Sequence, residues 1–202
     1  MSGMALFSLV LAFALGGIPF SHLIARARGV DLRASGSGNV GATNLARALG
    51  YGAGALGLIL DAAKGGVAVL LVRRLLGDEA APVNQALAGA LAVGGHAFSP
   101  WLRFRGGKGV ATGAGAFAVL APLATLWALA SFAVVLAIGR MVSLASVLAA
   151  LTLPVAAHFL GARRPVTAAA AAVAALVILR HRDNLVRLVR GTEHRLGARG
   201  GA

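Results

Sequence analysis

The sequence predicts an all-α integral membrane protein with about seven transmembrane helices, some of them short. Apolar residues make up 58% of the 202 residues and charged residues only 12%. A water-soluble globule of this length could not bury so much apolar surface. Several uncharged runs approach the roughly 20 residues that a helical span needs. We therefore expect a single transmembrane domain over residues 1–202, and the net charge of +13 indicates anionic partners such as lipid head groups or phosphates.

The first apolar run, residues 4–24, is followed but not preceded by positive charge. A signal peptide would carry its charge before the apolar region, so we interpret the run as a span. The arginines that follow it put the N-terminus outside and the next loop in the cytoplasm. The later apolar runs cover residues 52–72, 83–98, 110–138, 144–160 and 166–179.

The uncharged run 110–138 decides the number of spans. Its 29 residues, interrupted by Pro122, are long for one span and short for two. Two helices here give seven spans, with 14 Lys and Arg residues on the cytoplasmic side and four in the outer loops. A single span would put the six-arginine tail outside. The positive-inside rule favours seven spans and a cytoplasmic C-terminus. The two short helices within residues 110–138 can cross the bilayer only if they are tilted or if the bilayer is locally thinned.

The composition excludes several kinds of chemistry. The chain has no cysteine, which excludes disulfides, thiolate metal sites and cysteine nucleophiles. Its six acidic residues are scattered apart from one adjacent pair. Paired-carboxylate catalysis and multi-carboxylate Mg²⁺ sites are therefore not expected, and we predict no metal site.

The first segment that can carry chemistry is SGSGNVGATNLAR, residues 35–47. It contains a G-x-G-x-x-G pattern, but no strand precedes it and no βαβ unit surrounds it, so a dinucleotide site is excluded. Its glycines let backbone N–H groups approach an anion, and its polar side chains can complete the shell. We predict an anion-binding loop; the alternative is a flexible connection between spans. The donors are Ser37, Asn39, Thr43, Asn44 and Arg47.

The second segment is GGHAFSPWLRFRGGKGVATG, residues 94–113. Lys108 lies between Gly107 and Gly109, and Thr112 lies one turn into the following helix. A glycine follows the lysine, so this is not a Walker A motif, but it is a plausible phosphate cradle. The alternative is a basic loop that contacts lipid phosphates. Its aromatic residues lie at a predicted membrane boundary and are interpreted as interfacial anchors, so no nucleic acid partner is expected.

The third segment is RHRDNLVRLVRGTE, residues 180–193. On a helix, His181 and Asn184 share one face and Arg187 lies near it. A basic juxtamembrane helix explains the arginines but not the His–Asn pair or Glu193.

Two smaller signals lie within or beside the spans. Asp61 and Lys64 are three residues apart on one predicted helix and can pair. Ionisable residues in a span are costly and usually face the protein interior, so we favour a structural pair over one that positions a head group. Ser143 follows Arg140 at a predicted helix start, where it could cap the helix or contact a ligand.

Together these segments resemble the PlsY family of membrane glycerol-3-phosphate acyltransferases, which use acyl phosphate as donor. The resemblance covers nearly the whole chain in order. Arg105 departs from it, because the family often has lysine at that position. The matching motifs are SGNVGATN at 37–44, DAAKG at 61–65, GHAFSPWLRFRGGKGVAT at 95–112, RMVSLAS at 140–146 and HRDNLVRLVRGTE at 181–193.

The resemblance implies a seven-span enzyme of the bacterial inner (cytoplasmic) membrane with its active site facing the cytoplasm. It implies transfer of a fatty acyl group from acyl phosphate to the 1-hydroxyl of sn-glycerol-3-phosphate, which yields lysophosphatidic acid and phosphate. It implies no thioester donor, no metal and no cofactor. Acyl-chain preference and oligomeric state stay open.

The resemblance also implies roles for individual residues. Acyl phosphate would be bound by Ser37, Gly38, Asn39, Thr43, Gly107, Lys108, Gly109 and Thr112. Glycerol-3-phosphate would be bound by Asn44, Arg47, Lys108, Ser143, His181, Asn184 and Arg187. The catalytic candidates are Ser37, Lys108, His96, His181 and Glu193. By residue type the general base is His96, His181 or Glu193, and the substrate's own phosphate is a further candidate.

A small membrane transporter of phosphate or another anion is the alternative function. Glycine-rich loops, basic residues and short broken helices are typical of that class too. A transporter, however, needs polar groups near the midplane that both sides can reach. The polar segments here cluster on one predicted face, which favours an enzyme at the membrane surface.

Overall fold

Helices account for all regular structure in the residues that the computed structural model describes, 2–77 and 82–197. The predicted all-α class is confirmed for these residues, while part of the predicted 73–82 connection lies outside them. The helices are α1 (Gly3–Gly17), α2 (Phe20–Ala27), α3 (Ala42–Leu49), α4 (Tyr51–Leu76), α5 (Pro82–Ala97), a 3-10 turn (Pro100–Leu102), α6 (Val110–Leu120), α7 (Pro122–Gly139), α8 (Val142–Phe159), α9 (Arg164–Arg180) and α10 (Arg182–Val189).

Two prolines divide apolar runs of the sequence. Pro19 separates α1 from α2, a break that the sequence analysis did not predict. Proline has no N–H to continue the helical ladder, so the carbonyl groups at the end of α1 are left for other donors. Pro122 separates α6 from α7 as predicted, but the division is unequal: α6 has 11 residues and α7 has 18.

Helix length distinguishes full spans from shorter segments. Within residues 2–77 and 82–197, four segments are long and apolar enough to cross a bilayer, or five if α9 and α10, which meet at 60°, count as one. Helices α5 and α6 have 16 and 11 residues and fall below that length. The count of seven spans therefore stays a prediction. The four segments are Gly3–Ala27, Tyr51–Leu76, Pro122–Gly139 and Val142–Phe159.

Glycines allow neighbouring helices to approach at backbone distance. A methyl group on Gly16 of α1 would overlap the backbone of Ala92 in α5, and one on Gly95 would overlap α1 in return. Gly65 of α4 and Gly115 of α6 form a second such crossing. Close packing of small residues is how helices associate in lipid, where apolar burial supplies little driving force.

The alanine-rich run of α9 packs into the helical core. Ala169, Ala170, Val173 and Ala174 are buried on one face of the helix. The small residues of this run therefore form a packing surface.

Loops from distant parts of the chain meet at one end of the helices. Arg33, two residues before the first glycine-rich segment, donates from Nη2 to Leu102 O in the second at 3.0 Å. Arg180 Nε donates to Gly107 O at 3.1 Å and joins the second to the third. The three polar segments therefore share one end of the bundle.

Candidate active site

The three polar segments line one cavity of about 450 Å³. Its far wall is apolar and comes from helices α4, α7 and α8, through Leu58, Phe132 and Val142. The cavity is thus amphipathic, as a ligand with a charged head and an apolar tail requires. Of the predicted site residues it contacts Ser37, Asn39, Thr43, Asn44, Arg47, His96, Lys108, Gly109, Ser143, His181, Asn184, Arg187 and Glu193.

Hydrogen bonds on both sides hold the loop that carries Lys108. Gly106 N and Gly107 N donate to the last carbonyls of α5, at 3.1 and 3.0 Å. Arg180 donates to the two carbonyls of the same glycines, at 2.7 and 3.1 Å. Gly109 begins α6 with a φ of +83°, a conformation that favours glycine. Sequence reasoning did not select Arg180, whose only signal was its place in the third segment.

Lys108 is the cation at the centre of the site. Its Nζ donates to Asn184 Oδ1. Burial lowers the pKa of Lys108 to about 8, and the positive charges of Arg187 and Arg47 add to this effect while Glu193 opposes it. A bound anion would favour the protonated amine again, so the site is arranged to gain charge complementarity when a phosphate enters.

Glu193 connects the third segment to α8. Its side chain is 4% exposed. It accepts hydrogen bonds from Ser143 at 3.0 Å, from Asn184 at 2.8 Å and from Arg187 at 2.8 Å. Burial raises the pKa of Glu193, but these three hydrogen bonds outweigh it and the net pKa is lowered. Both carboxylate oxygens are engaged, which suits an anchor better than the predicted general base. Ser143 makes no helix-capping bond.

The first glycine-rich segment is organised by the side chain of Asn44. Its Nδ2 lies 2.9 Å from the carbonyl oxygens of Leu32, Ser35 and Asn39, and its Oδ1 accepts from Ser37 N at 3.0 Å. The sequence analysis assigned Asn44 to glycerol-3-phosphate. In the structure its amide holds the loop, so the contact with glycerol-3-phosphate stays a prediction.

The His181 ring has one nitrogen committed to the backbone. The residue is 2% exposed, and Nδ1 lies 2.7 Å from Val177 O. A carbonyl can only accept, so Nδ1 carries the proton and Nε2 is left with a lone pair. His181 lines the cavity and can therefore offer a proton acceptor there.

Three predicted acyl-phosphate contacts lie elsewhere. Thr112 is fully buried in α6, and its backbone packs on Gly65 of α4. It lines neither this cavity nor a second cavity that adjoins it. The rotation of α6 directs it toward α4. Gly107 also lines neither cavity and acts through the loop backbone. Gly38 lines an adjoining cavity of about 400 Å³, which shares Lys108 with the first.

Comparisons with known proteins agree on one family. The model of the family described as "Glycerol-3-phosphate acyltransferase" matches residues 6–191. A relative named glycerol-3-phosphate acyltransferase from Anaeromyxobacter dehalogenans (strain 2CP-C) is 50% identical over 190 residues, 91% of this chain and 93% of its own. One with the same name from Geobacter sulfurreducens is 43% identical over 93% of this chain and 95% of its own.

Two solved structures have the same fold. Both are crystal structures of PlsY, described as an integral membrane glycerol 3-phosphate acyltransferase. The glycerol 3-phosphate form has a TM-score of 0.91 at 39% identity, and the lysophosphatidic acid form has 0.89 at 38%. Each comparison covers 96% of both chains. The resemblance stated from the motifs is confirmed: this chain belongs to the glycerol-3-phosphate acyltransferase family.

Proposed function

We propose that this membrane acyltransferase moves a fatty acyl group from acyl phosphate to the 1-hydroxyl of sn-glycerol-3-phosphate. The products are lysophosphatidic acid and inorganic phosphate, in the first acylation step of phospholipid synthesis. Related crystal structures are described as glycerol 3-phosphate and lysophosphatidic acid forms, which supports this acceptor and this product. The acyl-phosphate donor is our proposal.

One observation carries this proposal. Lys108, Arg47 and Arg187 border the same cavity as the apolar side chains of Phe132 and Leu58. Two phosphate-bearing substrates need several cations, while the acyl tail needs an apolar wall.

The proposed residue roles are those that the family resemblance implies, and the cavity lining supports them. Ser37 and Asn39 line both cavities around Lys108, and with Thr43 they hold the acyl-phosphate group. Arg47, Arg187, Asn184 and His181 hold glycerol-3-phosphate, with Ser143 and Glu193 orienting them. Lys108 lies where both phosphates can be neutralised. Its cation also stabilises charge on the departing phosphate.

The chemical step is an acyl transfer. The 1-hydroxyl oxygen attacks the acyl carbonyl carbon, and the bond from that carbon to the phosphate oxygen breaks. The phosphate leaves with the electron pair of the broken bond. The hydroxyl proton passes to His181 Nε2 or to the leaving phosphate. Acyl phosphate is already activated, so positioning and charge stabilisation are the enzyme's main contributions.

We propose a seven-span topology in the bacterial inner (cytoplasmic) membrane, with the N-terminus outside and the site in the cytoplasm. The positive-inside distribution of Lys and Arg supports this orientation. Convergence of the polar segments at one end of the helices favours an enzyme over an anion transporter. The chain would act as one domain over residues 1–202.

The test is acyl transfer by purified protein supplied with labelled glycerol-3-phosphate. Acyl phosphate, acyl-CoA and acyl-carrier protein are offered separately as donors. Labelled lysophosphatidic acid with acyl phosphate alone is the expected result. Product only with a thioester contradicts the donor assignment. No product with any donor, combined with phosphate uptake into vesicles, would favour a transporter instead.

A further inference from the structure

A buried polar network at the wall of the cavity, which Asp61 and His96 line, has no role in the function proposed so far. Asp61 and Lys64 lie on α4 with their carboxylate and amine 2.7 Å apart, and both side chains are almost fully buried. Ser21 Oγ donates to Asp61 Oδ2 at 2.8 Å. Lys64 Nζ also donates to Ile18 O at 2.6 Å, a carbonyl beside the break at Pro19 that accepts from Phe20 N as well.

The third neighbour of the Lys64 amine is a histidine that lines the cavity. Lys64 Nζ lies 3.0 Å from His96 Nδ1. Beside the carboxylate of Asp61 the amine is an ammonium group, which only donates. Its other neighbours, Asp61 Oδ1 and Ile18 O, only accept. The third ammonium proton therefore points at His96 Nδ1, which must accept it.

This contact determines where the ring proton of His96 lies. A neutral imidazole carries one N–H, so acceptance at Nδ1 leaves the proton on Nε2. His96 is 8% exposed, and within residues 2–77 and 82–197 no group accepts a hydrogen bond from Nε2. A methyl group on Gly107 would overlap Nε2. The free N–H thus lies beside the loop that carries Lys108, in a residue that lines the cavity.

We propose that His96 is a hydrogen-bond donor to an anionic oxygen of the bound substrate, and that Asp61 and Lys64 are positioning residues that fix its tautomer. This rests on the proposed function and deepens it. The oxygen belongs either to a substrate phosphate or to the acyl carbonyl as charge develops on it during attack. His96 is then excluded as the general base, because its available nitrogen already carries a proton.

Replacement of His96 separates a donor from a base. Glutamine puts an amide N–H near the position of Nε2, whereas asparagine reaches only the position of Nδ1. We expect His96→Gln to stay within about tenfold of wild-type kcat/KM and His96→Asn to fall about 10- to 100-fold further. Equal inactivity of the two variants, with both folded, overturns the proposal. His158→Gln is the matched control, since His158 lies outside all three motifs, and it should change activity by less than about threefold.

The KM and kcat of these variants identify the oxygen. A rise in KM for one substrate assigns the hydrogen bond to the phosphate of that substrate in the ground state. A fall in kcat with KM unchanged assigns it to the carbonyl oxygen in the transition state. If neither constant differs between His96→Gln and His96→Asn, the donor role is contradicted.

Nitrogen-15 NMR of histidine-labelled protein tests the tautomer without turnover. Wild-type His96 should have a protonated Nε2 and an unprotonated Nδ1. The joint exchange Asp61→Asn and Lys64→Met removes both charges together, so no buried charge is left unpaired. We expect this variant to lose the tautomer preference and to lower kcat/KM. A wild-type His96 protonated at Nδ1 would overturn the proposal.

Ligand titration in the same spectra separates this inference from the proposed function. Inorganic phosphate, glycerol-3-phosphate and a non-hydrolysable acyl phosphonate are added separately. A shift of the His96 Nε2 signal with any of them supports the donor role, even if acyl phosphate proves not to be the donor of the acyl group. No shift with any of the three contradicts it, even where acyl transfer from acyl phosphate is demonstrated.

Discussion

Replacement of Lys108 by glutamine tests the centre of the proposed site. The change removes the ammonium group that donates to Asn184 and faces the cavity. A hydrogen bond to a charged group contributes about 1.5–3 kcal/mol, and each 1.4 kcal/mol is a factor of ten. Lys108 is proposed to serve two phosphates, so the two contributions together predict a fall in kcat/KM of at least about 100-fold.

The pH dependence of the reaction gives a second and more specific signature. Burial lowers the pKa of Lys108 to about 8. Below this pH the amine is charged and can bind phosphate; above it the charge is lost, so kcat/KM should fall as the pH rises. The substrate phosphate has its second pKa near 6 and does not titrate in this range. In Lys108→Arg the guanidinium stays protonated, and the alkaline fall should disappear.

The assay follows labelled glycerol-3-phosphate into lysophosphatidic acid between pH 6 and about 10, a range that brackets the lowered lysine pKa. Arg103→Gln is the matched control: Arg103 is exposed in the same loop and lines neither cavity. Arginine and glutamine bear the same backbone strain at position 103, where φ is 53°. The activity of Arg103→Gln should therefore stay within about threefold of wild type. Near-normal activity of Lys108→Gln, or an unchanged alkaline fall in Lys108→Arg, would refute the reasoning.

Three further substitutions test other parts of the site. Gly107→Ala should lower kcat/KM by at least about 100-fold, because the new methyl group displaces His96 or the loop. Steady-state kinetics measures this fall, and an unchanged melting temperature shows that the variant is folded. Glu193→Gln should cost about 1.5–3 kcal/mol of stability at neutral pH. The pKa of Glu193 is lowered, so the extra stability of wild type over Glu193→Gln should shrink as the pH falls through that pKa. Equal melting temperatures of the two proteins at every pH would contradict the anchoring role of Glu193. His181→Asn keeps a donor near Val177 O but removes Nε2, and should lower kcat by about 10²–10⁴-fold if Nε2 takes the proton. A loss below tenfold would assign the proton to the leaving phosphate.

Much of the secondary structure was predictable because apolar runs and proline act locally. Each predicted run corresponds to a helix or a pair of helices, and the break at Pro122 was anticipated. Pro19 was missed because the run 4–24 has the length of a single span, so no break was needed to account for it. At this break the Ile18 carbonyl accepts from Phe20 N and also from Lys64, which is 46 residues away.

The membership of the site was also predictable in large part. Glycine-rich loops with hydroxyl, amide and basic side chains predict anion binding wherever they lie in the chain. Lys108 was selected in this way, whereas Asn184 and Glu193 were selected from the helical third segment, and the three lie in one hydrogen-bonded network. Residue type and spacing could not tell ligand contacts from loop supports. Asn44 and Thr112 have suitable side chains for ligand contact, but Asn44 holds its own loop and Thr112 faces away from the cavities.

Sequence by itself determined the class of the protein, its helices and the chemistry of its three polar segments, since composition and short motifs are properties of neighbouring residues. Tertiary structure decided which polar atoms remain free to meet a ligand. Lys108 and Asn184 are 76 residues apart and Lys64 and His96 are 32 apart, yet these contacts orient the amine and fix the ring proton. Hydrogen bonds are directional, and most buried donors and acceptors are satisfied by particular partners. The roles of these atoms therefore emerge only once the helices have packed.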